Sequence, residues 1–258
     1  MIADQSVLFL AVMAFCVFFV GLAKAGFGGM IGSLAMPLAA AVSDPFTAIS
    51  VLLPTYVVMD LILMLVYRKS VRFDLLWPMA VTGLVGVSIG AVFFQSFEIW
   101  LLQSMLGAIS IAAALNFART RWLTQGKEQP ATPPRHIWPR AAGMAGSSGF
   151  LSFFLMGEAP AQLFLLPYRL MPVIYVATMV WFFAIMNAAK IPIMVTFGMV
   201  TPQTLILSLC FLPVMPLGLW AGNRISTRIP KDPFYILIHI LLLGLGVYLI
   251  VQGAFYAP

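Results

Sequence analysis

Charge is scarce in this 258-residue chain: 9% of its residues are Asp, Glu, Lys or Arg, against roughly a quarter in a soluble domain. That scarcity excludes a soluble globular domain, a disordered polar chain and a nucleic-acid binder. Cysteine is equally sparse. Cys16 and Cys210 both lie inside apolar runs, where each reads as a small buried hydrophobe, and they build neither a disulfide framework nor a CxxC metal site. There is no HExxH, no Walker A loop and no pair of aspartates in a motif context, which removes a zinc peptidase, an intramembrane aspartyl protease and ATP-driven transport by this chain alone. No enzyme, cofactor or metal is therefore expected. The stretch Met1–Gln5 has no basic residue, and the first apolar run leads into Lys24 and a glycine cluster, so no cleaved signal peptide is expected either.

What is present is apolar: 62% of residues are hydrophobic and the mean hydropathy is +1.02. These values define an all-α polytopic membrane protein, because a helix crossing about 30 Å of hydrocarbon needs roughly 20 apolar residues. Six stretches have that length: 46–67, 75–95, 99–118, 173–198, 203–221 and 233–252. Four further pieces, 6–23, 30–42, 140–156 and 159–171, are shortened by glycines and prolines. Each short pair is joined by a tight turn, Ala25-Gly26-Phe27-Gly28-Gly29 or Gly157-Glu158-Ala159-Pro160. Both pairs read as hairpins of broken helices with their tips at membrane depth.

The cations set the orientation. Arg68, Lys69 and Arg72 follow the first long span, and Arg119, Arg121, Lys127, Arg135 and Arg140 occupy the long polar loop. Arg169 lies at the foot of the second hairpin, and Arg224, Arg228 and Lys231 precede the last span. With these loops in the cytoplasm, the loops at 43–45, 96–98 and 199–202 carry no Lys or Arg, and both termini face outward. Each half is then a broken-helix hairpin plus three transmembrane helices, starting on opposite sides of the membrane, so the halves form two inverted repeats. The expected units are an N-terminal repeat over 1–118, a Pro-rich cytoplasmic linker over 119–139 and a C-terminal repeat over 140–258. Inverted repeats with discontinuous helices point to a secondary transporter.

Four charged groups fall inside apolar segments: Lys24, Asp60, Glu158 and Lys190. A charge at the bilayer centre costs at least about 2.5–3.5 kcal/mol, so each must be paired or line a cavity. Lys24 stands beside Gly26, Phe27, Gly28 and Gly29, where a turn exposes N–H groups next to an ammonium and makes an anion site. Packing glycines with a snorkelling lysine are the structural alternative. Lys190 follows Asn187 by three residues on one helix face, with Phe183 and Met194 extending the stripe. That face offers donors to an oxyanion, or an ion pair that locks helices together. Asp60, on a face with Tyr56 and Met64, and Glu158 are candidates for proton coupling, with pairing to a lysine as the alternative for Asp60. His239 reads as a packed residue of the last span.

The run Gly21-Leu22-Ala23-Lys24-Ala25-Gly26-Phe27-Gly28-Gly29, followed by Met36-Pro37-Leu38, Asp60 and Tyr67-Arg68, resembles the TauE/SafE family of sulfite and organosulfonate exporters. Gly149-Phe150-Leu151-Ser152 and Asn187-Ala188-Ala189-Lys190-Ile191-Pro192 extend the resemblance through the second half. It implies export of small sulfur-containing anions such as sulfite or sulfoacetate, driven by an ion gradient. Lys24, the Gly26–Gly29 turn, Asp60, Asn187 and Lys190 match positions of the family's motifs. Ala25 stands where a glycine is common, and Glu158 puts an acid into a turn that is usually richer in glycine.

The expectation is thus a proton-coupled secondary transporter of small sulfur-containing anions in the bacterial inner membrane, with both termini periplasmic. A small-anion channel and a transporter of a non-sulfur carboxylate are the alternatives. The expected partners are the anionic substrate, protons and the lipid bilayer, with a homodimer allowed and no nucleic acid.

Overall fold

A computed structural model describes residues 6–27, 29, 32–96, 98–123, 136–153, 157–225 and 231–255. Among them there is no strand. The helices are α1 (Val7–Phe27), α2 (Ala35–Val42), α3 (Pro45–Tyr67), α4 (Phe73–Ser96), α5 (Ile99–Leu123), α6 (Ile137–Ser152), α7 (Glu158–Leu165), α8 (Pro172–Thr196), α9 (Pro202–Phe211), α10 (Met215–Ile225) and α11 (Lys231–Phe255). Proline begins α3, α8 and α9, where its missing N–H costs nothing. Asp44 caps α3 by accepting from the Thr47 N–H at 2.9 Å, and Thr201 with Thr204 forms a capping box on α9.

Five stretches of the described chain are long and apolar enough to cross a membrane: α1, α3, α4, α8 and the α9–α10 run. The protein is an all-α polytopic membrane protein. Large apolar side chains on its outside, Leu65, Val92, Leu209 and Leu217 among them, are exposed, as lipid contact requires. Trp77, Trp122, Trp138 and Trp220 are exposed as well, and each lies near a helix end that leads into a basic loop. Tryptophan beside Lys and Arg is the pattern of a membrane–water interface.

Two expectations are corrected. The short piece over 6–23 is a 21-residue helix that runs on to Phe27. Its glycines do not end it, because Gly21 and Gly26 lie against the backbone of α10, where a side chain would collide. Close packing offsets the helix-propensity cost of glycine there. Conversely, the span over 203–221 is interrupted by a 3-10 turn at Leu212–Val214, around Pro213, before α10 continues it. The other short pieces remain short. α2 and α7 have 8 residues each and α6 has 16. Residue 28 of the first expected turn and residues 30–31 and 154–156 of the expected short pieces lie outside the described residues, as does 124–135 of the expected linker.

The two halves pack through each other rather than side by side. α1 lies along α10, α6 along α4, α5 along α11 and α3 along α8. Three of these pairs meet at facing glycines: Gly26 with Gly222, Gly83 with Gly149, and Gly107 with Gly246. A Cβ on Gly246 would sit 2.8 Å from the carbonyl oxygen of Gly107. Backbones in such contact gain dispersion energy that lipid tails cannot match.

α3 and α8 are antiparallel. The Asn187 amide meets Asp60 while, beyond the C-terminal end of α3, the backbone N–H of Arg72 donates to Thr178 Oγ1 at 3.3 Å. Asp60 and Asn187 therefore lie about two-thirds of the way along their own helices, each about 22 Å from its start at 1.5 Å per residue, and meet within the overlap of the antiparallel pair.

Candidate functional site

The four charged residues that the apolar segments had to accommodate converge on one cavity. Its walls include Lys24 from α1, Gly29 from the first turn, Tyr56 and Asp60 from α3, and Ser152, Gly157 and Glu158 from the second hairpin. Met179, Val180, Phe183, Asn187 and Lys190 of α8 complete it. It encloses about 30 Å³ open to water, room for a water or two and not for a polyatomic anion, so the site is closed down on its own side chains.

Asp60 is the centre of the polar network. It is 1% exposed. Lys24, in the last turn of α1, donates to Asp60 Oδ1 as a buried ion pair, and Asn187 Nδ2 donates to Asp60 Oδ2 at 2.6 Å. Both carboxylate oxygens are thus occupied by donors from two other helices. The Lys24 ammonium also stands over the Tyr56 ring, 5.2 Å from its centroid, within the range of a cation–π contact. Removing either member of such a buried pair leaves an uncompensated charge, which costs about 3–5 kcal/mol.

Lys190 is fully buried and donates to the carbonyl oxygen of Ser152 at 2.6 Å. Ser152 is the last residue of α6, so the ammonium caps the negative end of that helix. Among the described residues Lys190 has no hydrogen bond to an acid. Ser148 Oγ donates to the carbonyl of Gly157 at 2.5 Å and ties the foot of the second turn to α6.

Glu158 is the first residue of α7 and reaches across to the first hairpin. A Cβ on Gly32 would lie 3.3 Å from its Oε1, and one on Gly29 would lie 3.8 Å from its Cγ. Gly29 has φ +83° and its N–H closes back on the carbonyl of Ala23 at 2.9 Å. A residue with a side chain is strained in that conformation. Two polar atoms of the cavity, Tyr56 Oη and Glu158 Oε2, are buried with no hydrogen-bond partner among the described residues.

Of the expected site residues, Lys24, Gly29, Asp60, Glu158, Asn187 and Lys190 line the cavity. Gly26 packs against Gly222 instead. Gly28 and the Phe27 side chain lie outside the described residues. Asp60 has the lysine partner set out as its alternative role, and that partner is Lys24. Tyr56, Ser152 and the Met179–Val180–Phe183 wall had not been assigned to the site. Two of them carried a periodic signal: Tyr56 precedes Asp60 by four residues, and Phe183 precedes Asn187 by four. Elsewhere, Cys16 is buried and its Sγ donates to Ala35 O at 3.3 Å, whereas Cys210, expected to be buried, is exposed on α9, where a small apolar side chain suits lipid. His239 stacks on Phe117, centroid to centroid at 3.8 Å. Among the described residues no cluster of His, Cys, Asp or Glu is arranged to hold a metal ion.

Fold and site together define a polytopic membrane protein of the transporter class, with a charged cavity walled by discontinuous helices. The chain belongs to the sulfite exporter TauE/SafE family, whose model matches residues 13–249, nearly the whole chain. No curated protein and no solved structure matches it. Membership makes it a membrane transporter of sulfur-containing anions.

Proposed function

We propose that this protein is a proton-coupled secondary exporter of small sulfur-containing anions, sulfite, sulfoacetate or a related organosulfonate, in the bacterial inner membrane. The observation that carries the reading is the Lys24–Asp60–Asn187 network: two donors of the kind that bind an oxyanion converge on a resident carboxylate within the overlap of the α3–α8 pair. The Lys24 ammonium and the Asn187 amide each keep further N–H donors for an anionic substrate beside that carboxylate. Lys24, Asn187, Lys190 and the backbone of the hairpin tips at Gly29 and Gly157 bind the substrate, while Asp60 or Glu158 carries the coupling proton.

The two halves act as inverted repeats that rock about this point. Exchanging them turns the α1–α10 packing into α6–α4 and returns α3–α8 and α5–α11 to themselves, which supports that reading. Both termini face the periplasm on the strength of the cation distribution.

The test is substrate counterflow in proteoliposomes with sulfite, sulfoacetate, taurine, sulfate and acetate. Saturable exchange of one sulfur anion, lost in Lys24→Ala protein that still folds, is the expected result. Affinity retained in Lys24→Ala would remove Lys24 from the site. Flux that rises linearly with concentration and ignores pH would make the protein a channel.

A further inference from the structure

The cavity holds two cations and two acids, and their hydrogen bonding is unequal. Both oxygens of Asp60 are engaged, by Lys24 and by Asn187. Lys190 is engaged by the Ser152 carbonyl. Glu158 Oε2 is buried and unpartnered among the described residues, and so is Tyr56 Oη. The groups facing Glu158 across the cavity are Lys24 from α1, Asp60 and Tyr56 from α3, and Lys190 from α8. No other titratable or charged side chain lines it among the described residues.

With all four charged groups ionised the cavity is neutral. A univalent anion brought in alone leaves one uncompensated negative charge in a water-poor enclosure, the costly state for a buried site. One proton restores neutrality. Protonating Asp60 would weaken the bonds it takes from Lys24 and Asn187 and leave the Lys24 ammonium without its counter-ion. Glu158 has an oxygen to spare, and once protonated it turns from a repelling carboxylate into an O–H donor beside the bound anion. The Tyr56 hydroxyl supplies a second neutral donor on the opposite wall.

We propose that Glu158 is the residue that takes up one proton together with each univalent anion, so that substrate and proton cross as a neutral pair while Asp60 remains the ionised counter-ion of Lys24. This deepens, and rests on, the reading of the cavity as the transport site. In the proton step, water on the loading side loses H⁺ to Oε2, an O–H bond forms, and the same bond breaks to water on the release side; the anion itself is unchanged. Outward flux of a univalent substrate then follows the gradients of the anion and the proton, without a contribution from membrane voltage.

The experiment uses the full chain in proteoliposomes with isethionate, a univalent organosulfonate, as the probe. Labelled isethionate is followed beside a trapped pH dye, with the voltage set by potassium and valinomycin. The wild type is expected to move one proton per isethionate and to ignore voltage. Glu158→Gln should lose the co-moving proton and the pH dependence of exchange, and its flux should follow voltage. Asp60→Asn should lower isethionate exchange at least 10-fold at every pH. Wild-type exchange without proton movement, or driven by voltage, overturns the inference and leaves the transport reading standing. A Glu158→Gln protein that still moves protons, or that folds and moves no isethionate, also overturns it. If Glu158→Gln cannot be reconstituted, the voltage response of the wild type decides. No exchange of isethionate, sulfite or sulfoacetate by the wild type overturns the transport reading and the inference together.

Discussion

Asp60 and Asn187 are hydrogen-bonded to each other at 2.6 Å, and each lies fifteen residues beyond the first residue of its helix, Pro45 for α3 and Pro172 for α8. Two side chains at the same position of two antiparallel helices meet, and the inverted-repeat arrangement proposed above would exchange them. One is an anion and the other a neutral amide, so their helix positions match while their charges do not. Lys24 supplies the missing cation from α1.

That arrangement predicts a strong coupling between Lys24 and Asp60. Each single change, Lys24→Met or Asp60→Asn, should lower stability by about 3–5 kcal/mol or its equivalent in melting temperature, because a charge is left buried and alone. The double variant should recover most of the loss. Thermal melts of the four proteins in detergent close the cycle; additive losses would mean that the pair is not a unit.

The glycine crossings predict a sharp contrast among chemically identical changes. Gly149→Ala puts a Cβ into the backbone of Gly83, whereas Gly143→Ala and Gly244→Ala meet nothing within 4 Å. The first should cost several kcal/mol by separating α6 from α4. The other two should be neutral or stabilise by up to about 1 kcal/mol, since alanine is the better helix former. Melting temperature reads both.

Gly29→Ala should be destabilising for a different reason. Its φ of +83° costs a residue with a Cβ about 1–2 kcal/mol, and relaxing the strain moves the turn that touches Glu158. Gly29→Asn, which tolerates that region better, should recover part of the loss. Equal losses in the two variants would place the cause in packing rather than backbone strain.

Orientation is checked with cysteines introduced one at a time into a Cys210→Ser background, where the remaining Cys16 is buried. Ser43→Cys, between α2 and α3, should react with a membrane-impermeant maleimide added to whole cells. Ser70→Cys, beside Arg68 and Lys69, should react only after the inner face is opened. The reverse pattern would invert the topology.

Much of this molecule is legible from composition and spacing. The apolar spans of α3, α4, α8 and the α9–α10 run, and the polar residues that line the cavity, Lys24, Asp60, Glu158, Asn187 and Lys190, follow from the free energy of placing groups in hydrocarbon, which depends on residue type alone. Helix ends were less legible. Gly26 read as part of a break because its packing partner, α10, lies about 200 residues further along the chain.

What only the tertiary structure decided is who meets whom. Residue type requires that Lys24 and Lys190 be compensated, yet it does not say that one takes a carboxylate and the other the carbonyl end of α6. Nor does it say that Asp60 spends both its oxygens while Glu158 keeps one unpartnered. Those assignments depend on distances between helices that are remote in sequence, set by glycine contacts and by the antiparallel register of α3 and α8. The sequence determines which residues must be satisfied inside the membrane, because solvation is a local property; the fold alone determines by whom, because partnership is a matter of geometry.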